Sequence, residues 1–448
     1  MFSMQRDRFS VSFFKVWTIP ARFRMPKTAK KEILAALAAM ALLSSASFAQ
    51  PTEKPGHIGV LLPLSGPLAP FGQKALRGIL AGSGLLEKSP RKGVVLHIAD
   101  TCGDAKTAAA EAKKLASEGV TAIIGPLKGD EVKSAGEVAN SLSLPLLALT
   151  PARESTGGSV FRIFMREEEE VDALVGYAVE KLGFRRLAVL FPDTPAGRNY
   201  RALFWESATR RGAAVTASET FPPNAESLEE PLKRATGVFG ISLAEQNASL
   251  ERERQRKLAL LTGPREEEPA PPPPEKPSAK KKKNAPEEPV PQVDFQALFL
   301  PVTQSLKAAQ LAPQLPYYDI TGVRLMGLRS WNYPDLVNVG KEYVEGALIP
   351  SEWSPSTAAG ALFEDKFTRG YEEKPGALET YGFDAVSLVI SKGALAGRKE
   401  LLSSLASLRE QEAVTGPLST APSGEIPAIP SIMMVQRGEI LPASEGPQ

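Results

Sequence analysis

Residues 58–78 read IGVLLPLSGPLAPFGQKALRG, and this stretch decides the fold. It opens on an apolar run of strand length with no polar alternation, the pattern of a strand buried on both faces. Ser65-Gly66-Pro67 then breaks the run, and an Ala/Leu-rich helical stretch follows. The same unit recurs downstream. HIGVLLPL (57–64), GVVLHIAD (93–100), TAIIGPL (121–127) and LPLLALT (144–150) alternate with QKALRGILAGSGLLE, AKTAAAEAKKLASEG and DEVKSAGEVANSLS. Apolar strands alternating with helices predict a parallel sheet covered on both faces, with right-handed crossovers.

A second series begins at Arg185. RRLAVLFP (185–192), AAVTASETF (213–221), FQALFLPV (295–302), VRLMGLR (323–329) and EGALIP (345–350) read as strands. Helices are expected around FEDKFTRGYEE, YGFDAVSLVISKGAL and KELLSSLASLRE, and short strands around SIMMVQRGEIL. The expected fold class is therefore α/β, with two Rossmann-like lobes built on parallel sheets. The segment around Phe161–Glu170 is expected to carry the chain from one lobe to the other. The acidic run Glu167–Glu170 reads as a solvated first helical turn, where carboxylates favour the helix dipole.

The 448 residues hold 53 Lys+Arg, 51 Asp+Glu, two His and one Cys, enough for two or three folded units. One Cys excludes a disulfide framework and any multi-thiolate metal site. Two His, at 57 and 97, leave little room for a His-based metal centre or triad. No metal and no cofactor is expected. The net charge of +2 gives no reason to expect nucleic acid.

Lys27, Lys30 and Lys31 precede the apolar run Ile33–Leu43, and Ser47-Phe48-Ala49 follows it. A charged segment, a short apolar core and a small-x-small end read as a cleavable signal peptide over 1–49, with Met25 as an alternative start. The run is too short for the ~20 residues that span a bilayer. That leader takes eight basic and two acidic residues, which leaves 45 basic and 49 acidic in the exported chain. With no Cys at the cleavage site, the expectation is a periplasmic protein that is not a lipoprotein and has no transmembrane segment. Residues 263–291 carry ten prolines, PPPP and a Lys run. Such composition cannot support a core and reads as a disordered insertion within the second lobe.

Candidate binding residues fall at expected strand ends, where open α/β sheets hold ligands. After the first strand come Ser65, Gly66 and Phe71. Ser65 reads as a helix cap or as a ligand group on a helix start with free N–H groups, and Phe71 as an apolar wall. Later loops offer Lys128 and Gly129, then Thr150 and Pro151. The second lobe offers Asp193, and then Trp331 and Asn332. Lys128 reads as an anion partner or a solvated cation. Trp331 reads as a stacking platform facing the crevice or as a plug for its own loop. Catalysis has little support. His97 alternates within a strand, His57 sits at a strand start, and nothing lowers the pKa of Cys102. No G-x-S-x-G, P-loop or G-x-G-x-x-G occurs.

Five collinear segments carry a family likeness: 58–78, 99–129, 343–350 (YVEGALIP), 381–389 (YGFDAVSLV) and 414–425 (VTGPLSTAPSGE). On these the chain resembles the type I periplasmic binding protein superfamily in its leucine-binding branch. The resemblance implies two lobes joined by three crossings, lobe 1 at 56–163 and 348–410 and lobe 2 at 164–347 and 411–448. It implies a ligand between them and hinge closure. Residues 317–347 look most like the penicillin-binding protein activators, regulators of peptidoglycan synthesis. Ser65 and Thr150 match hydroxyls with which such receptors hold an amino-acid carboxylate. The usual small hydroxyl loop is here Lys128-Gly129, no acid for an ammonium stands within Arg329–Asn332, and Pro195-Ala196 replaces an aromatic.

The first expectation is a non-enzymatic receptor for a small polar solute, amino-acid- or peptide-like, that serves an ABC permease. The second is a regulator that binds a peptidoglycan synthase. A third is a secreted hydrolase using Cys102 or His97.

Overall fold

The computed structural model describes residues 56–87, 93–152, 156–240, 290–393 and 397–443, together with 248, 251–252 and 254–255. The expected signal peptide lies outside the described residues, as does the 263–291 segment apart from Val290 and Pro291. Among the described residues, no helix is long and apolar enough to cross a membrane.

The first sheet has the order β11-β5-β4-β3-β1-β2. It is built from β1 (Gly56–Leu62), β2 (Val94–Asp100), β3 (Ala122–Ile124), β4 (Leu146–Ala148), β5 (Val160–Phe164) and β11 (Glu425–Pro427). Every neighbouring pair in it is parallel. Ile58, Val60 and Leu62 enter one core cluster and Leu61 the cluster on the opposite face, so β1 is buried on both sides. That is why its sequence is an unbroken apolar run.

The second sheet has the order β13-β12-β10-β9-β8-β6-β7. Its strands are β6 (Arg186–Pro192), β7 (Ala214–Phe221), β8 (Ala297–Phe299), β9 (Arg324–Met326), β10 (Leu348–Ser351), β12 (Ser431–Gln436) and β13 (Glu439–Pro442). β6 to β10 are parallel, and β12 and β13 add an antiparallel edge. Two α/β lobes with parallel-dominated sheets therefore stand in the structure.

The lobe boundaries differ from the expected ones. β10 pairs with β9 and β12, so Leu348–Ser351 belongs to the second sheet and the chain leaves it only after Ser351. β11 pairs with β5 in the first sheet, so the return runs through Ala428–Pro430 rather than starting at 411. A three-residue strand with a proline has too little pattern to be read from sequence. The first crossing falls inside the expected 161–170 segment: Phe161–Phe164 belongs to strand β5, and the short Met165–Arg166 stretch follows it before the helix at Glu167.

The helix after β1 begins later than the sequence suggests. It spans Ala69–Ser83, with Leu68 at the N-cap position and Pro70 in its first turn, so Ser65 does not cap it. This helix meets the Ala377–Lys392 helix at backbone distance. A Cβ on Gly78 would stand 1.9 Å from the Glu379 carbonyl oxygen, and one on Gly382 would stand 2.4 Å from that of Ala75. Gly78→Ala is therefore expected to force the two helices apart and cost about 1–3 kcal/mol or more, as core overpacking does. Urea unfolding of the variant against the parent chain measures this.

Candidate functional site

All strands of the first sheet end on one edge, and the loops there form a continuous rim. Asp100, the last residue of β2, is its hub. One carboxylate oxygen accepts the N–H groups of Leu64 (2.8 Å), Ser65 (3.2 Å) and Cys102 (2.8 Å). Partial burial pushes this carboxyl up, but hydrogen bonds from the Ser65 hydroxyl and these amides outweigh it and hold it down at about 2. The amides of Leu64 and Ser65 are therefore already satisfied, and the expected free N–H groups after β1 are filled by the protein's own carboxylate. Ser65 Oγ lies 3.2 Å from Cys102 Sγ. Its single proton serves either Asp100 or the sulfur. Gly66 turns the chain at φ +74°, and a Cβ there would stand 3.4 Å from the Cys102 carbonyl. Phe71 is 52% exposed on the first turn of the following helix.

The loop after β3 is closed in a similar way. Glu131 is fully buried and accepts from Thr101 Oγ1 (2.5 Å) and from the Lys128 N–H (3.1 Å). Burial pushes its carboxyl up, and these two bonds pull against that. Lys128 is an exposed cation whose Nζ pairs with Asp130 at 2.8 Å. Its Nζ also lies 3.4 Å from the Gly103 carbonyl and so leans over the β2 loop. Gly129 lets the β3 and β4 loops touch, because a Cβ there would stand 2.8 Å from Ala152 Cβ. Thr150 is buried and its hydroxyl accepts the Ala152 N–H. Buried Arg162 donates to the Pro151 carbonyl at 2.6 Å and pairs with Glu425.

In the second lobe, Asp193 follows β6 and pairs with Arg198, while Thr194 caps the Pro195–Arg210 helix. Trp331 is not a stacking platform; it packs its own loop, and does so in the lobe core rather than at the surface. It is fully buried, its indole N–H donates to the Val302 carbonyl at 2.7 Å, and it packs so closely on Gly327 that a Cβ there would overlap the ring. It anchors the β9 loop in the lobe core and has no face free for a ligand. Asn332 donates to Ser351 Oγ at 3.1 Å and so binds that loop to the end of β10.

The residue that reaches out of this loop is Arg329. Its Nη1 donates to the Met165 carbonyl at 2.9 Å, on the first crossing. Its guanidinium lies 5.0 Å above the Phe164 ring, which stacks on Tyr381 at 4.9 Å. Nε faces Glu352 at 3.7 Å and Glu170 at 4.0 Å, and the Arg329 N–H donates to Glu170 at 2.6 Å. The Tyr381 hydroxyl accepts from the Met165 N–H at 3.1 Å and donates to Glu352. Burial pushes both glutamates up, and Arg329 pulls both back. Arg329 itself is held above its ordinary range, since the two carboxylates outweigh its desolvation. Glu170 is thus not a solvated residue of an acidic turn; it is 1% exposed.

This cluster joins the carboxyl ends of β5 and β9, one from each sheet, along with the segment after β10. A second ionic chain runs beside it, from Arg162 through Glu425 to Arg166 and on to Glu169. Sequence reading missed all of these residues except Arg329, which it noted only as the absence of an acid. Arg329 and Met165 are 164 positions apart and Arg162 and Glu425 are 263, and no local pattern links such partners. A surface cavity of about 420 Å³ adjoins the end of this ionic chain, lined by Glu168, Glu169, Asp172, Leu203, Arg210 and Ile429. Its Asp172 is held by Arg210, Arg211 and Ser207, so that surface is an internally paired flank.

Residues 55–237 match the periplasmic binding protein family model. The chain is 22% identical over 194 residues to the Leu/Ile/Val-binding protein homolog 3 of Brucella melitensis, a match covering 42% of this chain and 53% of that protein. The chain spans about half the length of the curated relatives it matches. By structure it is similar to the ABC transporter substrate-binding protein from Sphaerobacter thermophilus, with TM-score 0.58, 17% identity, and 87% of this chain and 97% of that one covered. It is also similar to the ABC transporter substrate-binding protein from Desulfitobacterium hafniense in complex with Leu, with TM-score 0.54, 18% identity, and 87% and 100% covered. The described chain has the type I periplasmic-binding-protein fold and resembles leucine-binding-type proteins. The activator-like likeness of 317–347 rests on sequence alone.

Replacing Arg329 by Met leaves two buried carboxylates facing each other, so a loss of about 3–5 kcal/mol is expected at neutral pH. Both carboxyls are already raised, and removing the cation raises them further. A folded state that holds protons more tightly than the unfolded chain gains stability as pH falls. The deficit of Arg329→Met should therefore shrink between pH 7 and pH 5, as followed by urea unfolding at both values. A deficit independent of pH would reject the charge argument.

Proposed function

We propose that this chain is a non-enzymatic receptor that closes its two lobes on a small polar solute, amino-acid- or peptide-like, for an ABC-type importer. One observation carries this reading. The carboxyl edges of the two sheets are tied at the Arg329 cluster, and among the described residues no hydrogen bond or ion pair joins the β1, β2 or β3 loops to loops of the second lobe. Two rims held at one end and free elsewhere make a crevice that can open and close about a hinge. On this reading the first rim supplies Ser65, Gly66, Phe71, Lys128, Gly129 and Thr150. The second supplies Asp193 and Asn332, with Arg329 facing the crevice in place of Trp331.

The synthase-regulator reading is the weaker one. The activator-like stretch supplies β9, the Arg329–Trp331 turn, the Pro334–Gly340 helix and the approach to β10. The second sheet needs these elements for any function. The hydrolase reading is weaker still, because the two histidines engage each other and Glu118 rather than Ser65 or Cys102.

Isothermal titration with amino acids, short peptides and muropeptides, paired with small-angle scattering, tests the receptor reading. Binding of one class with a fall in radius of gyration is expected. Lys128→Ala and Asn332→Ala should each weaken that binding about tenfold, or about 1.4 kcal/mol. No binding by any class, together with recovery of a peptidoglycan synthase in pull-downs from envelope extracts, would transfer the case to the regulator reading. For the exported form, Edman sequencing of periplasmic protein should begin at Gln50; recovery only from the cytoplasm would reject periplasmic function.

A further inference from the structure

The chain has only two histidines, 40 positions apart, and the fold brings them into contact. In the parallel pairing of β1 with β2, His57 stands opposite Val95 and Gly59 opposite His97, so the two imidazoles are diagonal neighbours on one face. His57 Nδ1 lies 2.8 Å from His97 Nε2, and the rings are tilted by 46° with centroids 5.1 Å apart. His97 Nδ1 lies 2.7 Å from Glu118 Oε2, at the end of the Ala105–Ser117 helix. His97 is 23% exposed and His57 half-buried, so the pair lies at the protein surface. The pair sits near the start of β1, at the opposite end of the strand from the proposed crevice.

The proton positions follow from these contacts. The Glu118 carboxylate can only accept, so the His97 proton sits on Nδ1 and its Nε2 lone pair points at His57. A carboxylate on the far nitrogen of an imidazole is also the arrangement that orients metal-binding histidines and raises their basicity. We propose that His57 Nδ1 and His97 Nε2 form a two-nitrogen clamp for a divalent transition metal, with Glu118 as the positioning residue for His97. Metal–imidazole bonds of about 2.0–2.1 Å set the two nitrogens about 3.3 Å apart in a tetrahedral geometry and about 2.9 Å apart at adjacent corners of a square. The nitrogens need to separate by only a few tenths of an ångström, and each ring turns by about 35–45° to aim its lone pair at the metal instead of at the other ring. The His57 proton moves from Nδ1 to Nε2, which has no hydrogen-bond partner among the described residues, so binding requires no net proton release. Among the described residues no third His, Cys, Asp or Glu converges on this point, so water completes the coordination. Imidazole donors favour Cu²⁺ over Ni²⁺ and Zn²⁺.

The test uses the full chain without a histidine tag. Titration with Cu²⁺ followed by electron paramagnetic resonance should show one ion per chain with hyperfine structure from two nitrogens. Zn²⁺ should compete for the same ion. His57→Gln and His97→Gln should each weaken binding at least tenfold, and Glu118→Gln should weaken it less, with melting temperatures checked for each. If a variant fails to fold, the two-nitrogen signature of the parent chain decides by itself. Unchanged binding in the folded histidine variants, a thiolate-to-copper absorption band from Cys102, or no binding at 100-micromolar metal, a concentration of about 10⁻⁴ M, would each overturn the proposal.

Discussion

The guanidinium of Arg329, wedged between Glu170 and Glu352 above the Phe164 ring, is the contact on which the two-lobed arrangement depends. Two buried carboxylates around a partly exposed guanidinium are costly, and such a set persists only where geometry and extra hydrogen bonds compensate. Here the Met165 carbonyl, the Tyr381 hydroxyl and the Arg329 amide provide them. A purely apolar contact would hold the lobes equally well in many orientations. Directional contacts to two crossing segments at once define a pivot: the first is held at the Met165 backbone and the second at the Glu352 carboxylate. The parallel chain of Arg162, Glu425, Arg166 and Glu169 strengthens that pivot from the other side of the first crossing.

The rims that flank the pivot share a design. Strand ends in open α/β sheets leave amide groups pointing outward, and these attract anions. In the first lobe several are occupied from within, by Asp100 after β1 and β2 and by Glu131 after β3. The loops are therefore held in place by the protein's own carboxylates. What remains accessible is side-chain chemistry: the Lys128 ammonium, the Phe71 ring and the Ser65 hydroxyl. Preorganised loops of this kind lose little conformational entropy on binding. On the second rim, burying Trp331 in the lobe core fixes the turn from which Arg329 extends.

Much of the architecture was legible because burial on both faces of a parallel sheet imposes unbroken apolar runs. β1, β4, β6 and β8 all stand where such runs occur, whereas β2, at the sheet edge, exposes Val95 and Ile98. Legibility failed where a strand was too short to have a period. β11 has three residues, one of them proline, and its assignment to the first sheet moved the third crossing by more than fifteen positions. The acidic turn misled for a related reason. Charge composition says where carboxylates are favoured, but only packing says which of four successive glutamates turns inward. Glu170 does, because the helix phase points it at Arg329 and Tyr200.

By itself the sequence determined the α/β class, the order of the main strands and helices, and the loops that crown the sheets. These follow from hydrophobic periodicity and turn chemistry, which act over a few neighbouring residues. Only the tertiary structure decided which loop residues face outward, which charges meet at the pivot, and that the two histidines touch. Arg329 and Met165 are 164 positions apart, and Arg162 and Glu425 are 263. Contacts at such separations depend on strand order and register, and no local pattern in the chain encodes either one.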